Sequence, residues 1–255
     1  MIQGLFLYIA TVGFSLESAN VVGYTQVAAK EGFKAMGAPF APVSDTMNLQ
    51  DLKVTGYDAS EGFSGAFEIQ LLDTIGRTSA SYTWFDIPKD ETDPDSVAFY
   101  GWYDGDFNLV EDVTVSPADG LWVSSDSESY KLQSSGSVIK TPTAKTLVAE
   151  GFVMVANPIP VDVDIQDITV GGYDTDGAFE GTVEIQFLDT IGCTSASYMW
   201  FDIPKDETDP DSVAFYGWYD GEFNLAEDVK VEIGGAVWTS SDSAAYSLVF
   251  PGATL

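Results

Sequence analysis

Two stretches of the chain hold acidic or aromatic side chains close enough together to do chemistry. The first is a loop with Asp90, Glu91, Asp93 and Asp95, which recurs as Asp206, Glu207, Asp209 and Asp211. Clustered carboxylates are what a hard cation such as Ca²⁺ requires. The spacing lacks the central Gly and terminal Glu of an EF-hand loop, and Pro88 and Pro94 stiffen the segment, lowering the entropy lost on ordering it around an ion. The competing reading is a solvated turn whose acids and prolines keep a strand edge from pairing. A further acidic turn at Asp174, Asp176 and Gly177 reads Asp58, Ser60 and Glu61 in the other half. That divergence fits a turn better than a paired ion site.

The second stretch is the aromatic run 97–103 with the turn Asp104-Gly105, repeated at 213–221. Strand alternation places Phe99 and Tyr103 on one face and Tyr100 and Trp102 on the other, so one aromatic pair is expected outside the core. Rings beside carboxylates hold sugars by stacking on their apolar faces while the acids take hydroxyls. The ligand-binding candidates are therefore Tyr100, Trp102, Tyr103 and Asp104, with Tyr216, Trp218, Tyr219 and Asp220. The competing reading packs these rings across strands.

Catalytic chemistry is poorly served. The chain has no His, which removes Ser-His-Asp and Cys-His arrangements and the usual zinc ligands. Gly-rich phosphate loops are absent. Among 40 Asp and Glu residues, a carboxylate pair suited to glycoside hydrolysis arises by chance. The lone Cys193 stands where the other half has Arg77, an exposed position unsuited to a catalytic thiol. The reading is a non-enzyme.

Ten basic residues against 40 acidic ones leave a formal net charge of -30. Such a field repels nucleic acid and anionic lipid headgroups and attracts cations. With 45% hydrophobic residues the chain is globular despite its charge.

The elements that must position these residues come from a duplication. At an offset of 116, Asp51 falls on Asp167, Trp84 on Trp200, Trp102 on Trp218, Trp122 on Trp238 and Tyr130 on Tyr246. Upstream the offset is 119, placing Gly32-Phe33 on Gly151-Phe152. Within a copy, β signals recur at 52–56, 67–72, 82–87, 97–103, 113–115, 121–124 and 130–133, punctuated by Gly, Asp, Asn and Ser. Phe67, Ile69 and Leu71 alternate with Glu68 and Gln70, the pattern of a half-buried strand. Helical spacing is confined to a single turn expected at Glu111-Asp112. The fold class is all-β: two tandem antiparallel β-sandwich domains, with β-barrels as the alternative. Residues 20–137 form the first domain and 138–255 the second. Residues 1–19 read as a signal peptide on the apolar run 2–16, although no Lys or Arg precedes it and Glu17 sits at the cut. A secreted or cell-surface location without membrane insertion follows.

Agreement between the copies is uneven. Residues 68–109 and 184–225 differ at four of 42 positions: Leu71/Phe187, Arg77/Cys193, Thr83/Met199 and Asp106/Glu222. Flanking segments agree at 7 of 17 and 11 of 23 positions. Surface loops ordinarily drift faster than packed strands, yet the polar loop 86–96 is identical to 202–212. Either a recent copying event overwrote the block, as its sharp edges favour, or both copies retain a binding surface.

In its repeat signature, Gly-Phe at 32 and 151, Gly-Tyr-Asp at 56–58 and 172–174, and a late Trp at 122 and 238, the chain resembles uncharacterised secreted tandem β-repeat proteins of environmental and gut bacteria. The resemblance implies a secreted, β-rich protein and no activity. The expected function is a non-enzymatic structural or adhesive protein with duplicated binding faces. The alternative is a carbohydrate-binding module assisted by calcium. Its partners would be a polysaccharide or surface glycan, or a second copy paired through an edge strand such as 20–26.

Overall fold

Period-two alternation builds the sheets. The computed structural model describes residues 22–42, 47–57, 66–93, 95–173, 182–205, 208 and 214–254. The expected signal peptide at 1–19 and the expected acidic turns at 58–61 and 174–177 lie outside the described residues.

The first copy holds β1 (Val22–Ala28), β2 (Gly32–Met36), β3 (Met47–Asn48), β4 (Lys53–Thr55), β5 (Phe67–Leu72), β6 (Thr78–Ile87), β7 (Phe99–Tyr103), β8 (Thr114–Val115), β9 (Leu121–Ser125) and β10 (Lys131–Ser137). The second repeats them as β11 (Thr143–Thr146), β12 (Gly151–Ala156), β13 (Val163–Asp164), β14 (Thr169–Gly171), β15 (Val183–Leu188), β16 (Thr194–Ile203), β17 (Phe215–Tyr219), β18 (Lys230–Val231), β19 (Ala236–Ser241) and β20 (Ser247–Phe250). Each copy combines a five-stranded sheet, ordered β2-β9-β5-β6-β7 or β12-β19-β15-β16-β17, with a three-stranded sheet, β1-β10-β4 or β11-β20-β14. Within these sheets every pairing is antiparallel and no sheet closes on itself, so the architecture is that of open sandwiches and not barrels. The expected turn at Glu111-Asp112 is replaced by a 3-10 turn at Leu49–Asp51, where the Asn48 side chain accepts from the Gln50 N–H and Asp51 accepts from the Asn48 N–H.

The copies have separate cores. In the first, Phe67, Ile69, Trp84 and Trp102 are fully buried on the five-stranded sheet. They face a row of Val27, Leu132 and Val54, which are opposite one another in register across the three-stranded sheet. Burying such side chains contributes about 1.5–3 kcal/mol each. The Trp102 indole N–H donates to the Leu52 carbonyl at 2.8 Å, and that of Trp218 to Ile168 at 2.7 Å. The Trp84 and Trp200 indole N–H groups are buried without a hydrogen-bond partner.

β7 is a sheet edge, and its backbone is covered by the returning turn, whose Val110 N–H donates to the Trp102 carbonyl at 2.9 Å, and by one side chain of the 3-10 turn. Gln50 Nε2 donates to the carbonyls of Trp102 and Val110, both at 2.8 Å, and Gln50 Oε1 accepts from the Trp102 N–H at 3.2 Å. The amide thus substitutes for a neighbouring strand and blunts an edge that would otherwise pair with another chain. Gly101 makes this approach possible: its φ is +121°, and a Cβ there would lie 2.4 Å from Gln50 Oε1. Gln166 repeats the arrangement on Trp218 and Ala226.

The opposite edges join the two domains about a pseudo-twofold axis. The Phe33 N–H donates to Thr190 O at 2.9 Å, and its counterpart Phe152 donates to Thr74 O at 2.8 Å. Gly37 donates to Gly234 O at 3.0 Å, and its counterpart Ala156 to Ala118 O at 3.1 Å. Phe33 stacks on Trp122 and Phe152 on Trp238, and each Trp ring lies against the β-turn of the other domain, at Gly192 and Gly76. No described helix is long and apolar enough to cross a membrane.

Candidate functional site

Strand β7 and its turn form the candidate site. Two of its expected ligand-binding residues belong elsewhere: Trp102 and Trp218 are 0% exposed. They face the sandwich interior, edge-on to Trp84 and Trp200 at 5.4 Å, so neither ring can meet a ligand. Tyr100 and Tyr216 share that face but sit at its rim, 55% and 60% exposed, each edge-on to the neighbouring indole at 5.3 Å. Lys53 Nζ lies 5.2 Å from the Tyr100 ring centroid, a cation–π contact that the second copy replaces with Thr169.

The outward pair is Phe99 and Tyr103, and it belongs to a larger cluster. Phe85 stands opposite Gly101 in the β6–β7 register, between the rings on either side of the glycine. Its ring lies 6.1 Å from Phe99, 5.8 Å from Tyr103 and 5.9 Å from Phe107, the last nearly parallel at 19°. The Tyr103 hydroxyl accepts from the Tyr100 N–H at 3.3 Å. In the second copy Phe201 meets Phe215, Tyr219 and Phe223 at 6.1, 5.8 and 5.7 Å. Phe85, Phe99 and Phe107 were not among the sequence candidates. Their signal was present in the alternation of β7 and the aromatic opposite a glycine, but only strand register brings them together.

Asp104 and Asp220 shape the turn and are not set to hold a ligand. Asp104 Oδ1 accepts from the Asp106 and Asn108 N–H groups at 2.9 and 2.8 Å, and Oδ2 from Asn108 Nδ2 at 3.0 Å. Donation from the Asn108 backbone, then from its side chain, holds the Asp104 carboxyl below its ordinary pKa, and Asn224 does the same for Asp220. The turn drives Phe107 and Phe223 to φ of 62°. For a bulky residue this left-handed conformation is an outlier, costing about 1–3 kcal/mol, and it leaves Phe107 55% exposed.

The expected ion site does not assemble in the first copy. Asp90 Oδ1 accepts from the Thr92 N–H at 2.8 Å and the Thr92 hydroxyl at 2.7 Å, and Asp93 Oδ1 accepts from the Asp95 N–H at 3.0 Å. Each acid closes its own turn instead of converging with Glu91 and Asp95. Among the described residues, no three acidic, His or Cys side chains gather as metal ligands. Asp206, Glu207, Asp209 and Asp211 lie outside the described residues.

Exposed apolar surface concentrates in the near-identical blocks. Of eleven exposed large apolar residues among those described, Ile75, Val97, Tyr100, Phe107, Leu109, Ile191, Tyr216, Phe223 and Leu225 fall in residues 68–109 or 184–225, leaving Tyr24 and Val161 elsewhere. No family model, curated protein or solved structure matches the chain.

Proposed function

We propose that the protein is a non-enzymatic, secreted or cell-surface adhesive protein whose two domains each present an aromatic platform built on β7 or β17. The observation that carries this is the confinement of nine of the eleven exposed large apolar residues to the two near-identical blocks. Exposed apolar residues that cluster mark interaction surfaces, and here Val97, Phe107 and Leu109 flank β7 while Phe223 and Leu225 flank β17, with Ile75 and Ile191 standing apart in the turns near the domain interface. Phe107 and Phe223 strengthen the reading, since Asn or Gly would fit φ of 62° with less strain. An aromatic kept there in both copies supplies its ring. The leader-like run 2–16 and the net charge of -30 support an extracellular location.

A second reading, carbohydrate binding, is favoured by the shape of the platform. Phe107 and Phe85 stack nearly parallel, and the exposed Asp106 sits in the same turn. That combination offers a flat apolar face with a hydrogen-bond acceptor beside it.

Retention on immobilised polysaccharides and a glycan array, with calcium present and removed, tests both readings using Phe107→Gly, Phe223→Gly and the double variant. Each substitution relieves backbone strain of about 1–3 kcal/mol and gives up ring contacts with Phe85 and Phe99 or with Phe201 and Phe215 of similar size, so the folded protein should melt close to the parent. Losing one platform should weaken retention by about 10²-fold where both engage one surface, and losing both should abolish it, with calcium making no difference. A double variant that adheres like the parent overturns the platform. Adhesion to cells or abiotic surfaces with no saccharide bound leaves the first reading and ends the second.

A further inference from the structure

We infer that the groove between β2 and the second domain's β15, β18 and β19 is a binding site for a small organic anion, its acidic head held by Lys30, Lys34 and Lys230 and its body laid on Phe33 and Phe187. The groove has a volume of about 430 Å³, within the range of small-molecule sites. It gathers three of only ten basic residues in a chain of net charge -30. None of the three forms an ion pair within 4.0 Å among the described residues, where the pairs are Arg77–Asp73 and Lys145–Asp119.

The pseudo-twofold axis supplies an internal control. The matching groove, about 380 Å³, has Thr114 and Val153 where the first has Lys230 and Lys34, and Ala149 is the counterpart of Lys30. The single cation lining it, Lys145, is already paired with Asp119. The lysines are thus absent from the fold's common plan and were placed in one groove alone.

Lys34 is the costly member. Its ammonium donates to the Ala28 carbonyl at 3.0 Å, and burial lowers its pKa, with Glu232 pulling it partly back and Lys30 depressing it further. Glu232 lines the groove too, but among the described residues no carboxylate lies within 4.0 Å of the Lys34 ammonium, so this partly desolvated cation gains from an incoming anion that reaches it directly. Asp189, also in the lining, turns one oxygen away from the lysines, its Oδ1 accepting from the Ile191 and Cys193 N–H groups. The negative surface as a whole does not prevent binding, since charges beyond about 8–10 Å are screened at physiological salt.

Titration calorimetry of the intact chain with glucuronate and with inorganic phosphate tests this site independently of the aromatic platforms, using Lys30→Gln/Lys230→Gln, Lys34→Met and, for the other groove, Lys145→Gln. Glucuronate should bind, and more tightly than phosphate, because it alone has a body to cover Phe33 and Phe187. The double variant, altered only at exposed lysines, should lose at least tenfold in affinity, and Lys34→Met should lose as much. Lys145→Gln should bind like the parent. Phosphate binding as tightly as glucuronate would remove the organic anion from the proposal. Heats equal to buffer for both anions, or affinities unchanged by the lysine substitutions, would overturn the site.

Discussion

Gly37 and Ala156 hold the same position in the two copies, and they touch each other. A Cβ built on Gly37 would lie 2.1 Å from the Ala156 Cβ, so the pseudo-twofold axis passes between them and has room for one methyl. Two further relations across the axis come in matched pairs, Phe33 to Thr190 with Phe152 to Thr74, and Gly37 to Gly234 with Ala156 to Ala118. The interface is approximately isologous within one chain, and at its centre the two halves differ by the single methyl that the space between them admits.

Gly37→Ala should therefore destabilise the protein by about 1–3 kcal/mol through overpacking. Adding Ala156→Gly moves the methyl to the other side of the axis and should recover most of the loss, short of the roughly 0.5–1 kcal/mol that Gly costs in a strand. Thermal denaturation of the two singles and the double variant closes the cycle. Additive losses would show that the two sites do not meet.

The two buried tryptophans of each core should respond differently to truncation. Trp102→Phe strands the Leu52 carbonyl that its indole N–H serves at 2.8 Å, adding about 1–3 kcal/mol to the lost packing. Trp84→Phe removes a donor that has no partner, so packing alone is lost. Urea denaturation should rank Trp102→Phe as clearly the less stable, and Trp218→Phe below Trp200→Phe. Equal losses within a pair would contradict the hydrogen-bond assignment.

Acid should destabilise the fold through its turns. The Asp73, Asp90, Asp104 and Asp220 carboxyls are held below their ordinary pKa, chiefly by the Arg77 N–H, the Thr92 hydroxyl, the Asn108 N–H and the Asn224 N–H respectively. A carboxyl with a lower pKa folded than unfolded contributes stability above its unfolded value, and that contribution is lost as pH falls through the folded value. Relief of repulsion among 40 acidic residues acts in the opposite direction from neutrality downward. Melting temperature should hold or rise as pH falls toward the ordinary Asp value of about 3.9 and then drop below it, as the four carboxyls, held lower in the folded protein, take up protons. Asp104→Asn/Asp220→Asn should shallow the acid limb. A melting temperature still rising at pH 2 would refute the account.

The near-identical blocks take on a second meaning from this interface. Thr74 and Thr190, which accept the reciprocal bonds from Phe152 and Phe33, lie within them, in the turns at 73–77 and 189–193. An isologous contact requires the same turn in both copies, which gives that part of the block a structural reason to stay alike. The loop 86–96 has no such role among the described contacts, and the codons remain the test of recent copying there.

The amino-acid sequence determined by itself what depends on local periodicity and internal comparison: the duplication, the all-β class, most strand positions and the division of the β7 aromatics into two faces, Phe99 with Tyr103 and Tyr100 with Trp102. These follow because strand alternation is a property of consecutive residues. Tertiary structure alone decided which aromatics are buried, since Trp102 and Tyr100 share a face and differ only in distance from the sandwich rim. It decided that Asp90, Asp93 and Asp104 spend their oxygens on their own turns, because a carboxylate's partner depends on backbone direction that composition does not encode. It also decided that Lys30, Lys34 and Lys230, some 200 residues apart at the extremes, meet in one groove, because the pseudo-twofold packing of two sandwiches is a relation between surfaces that no local pattern records.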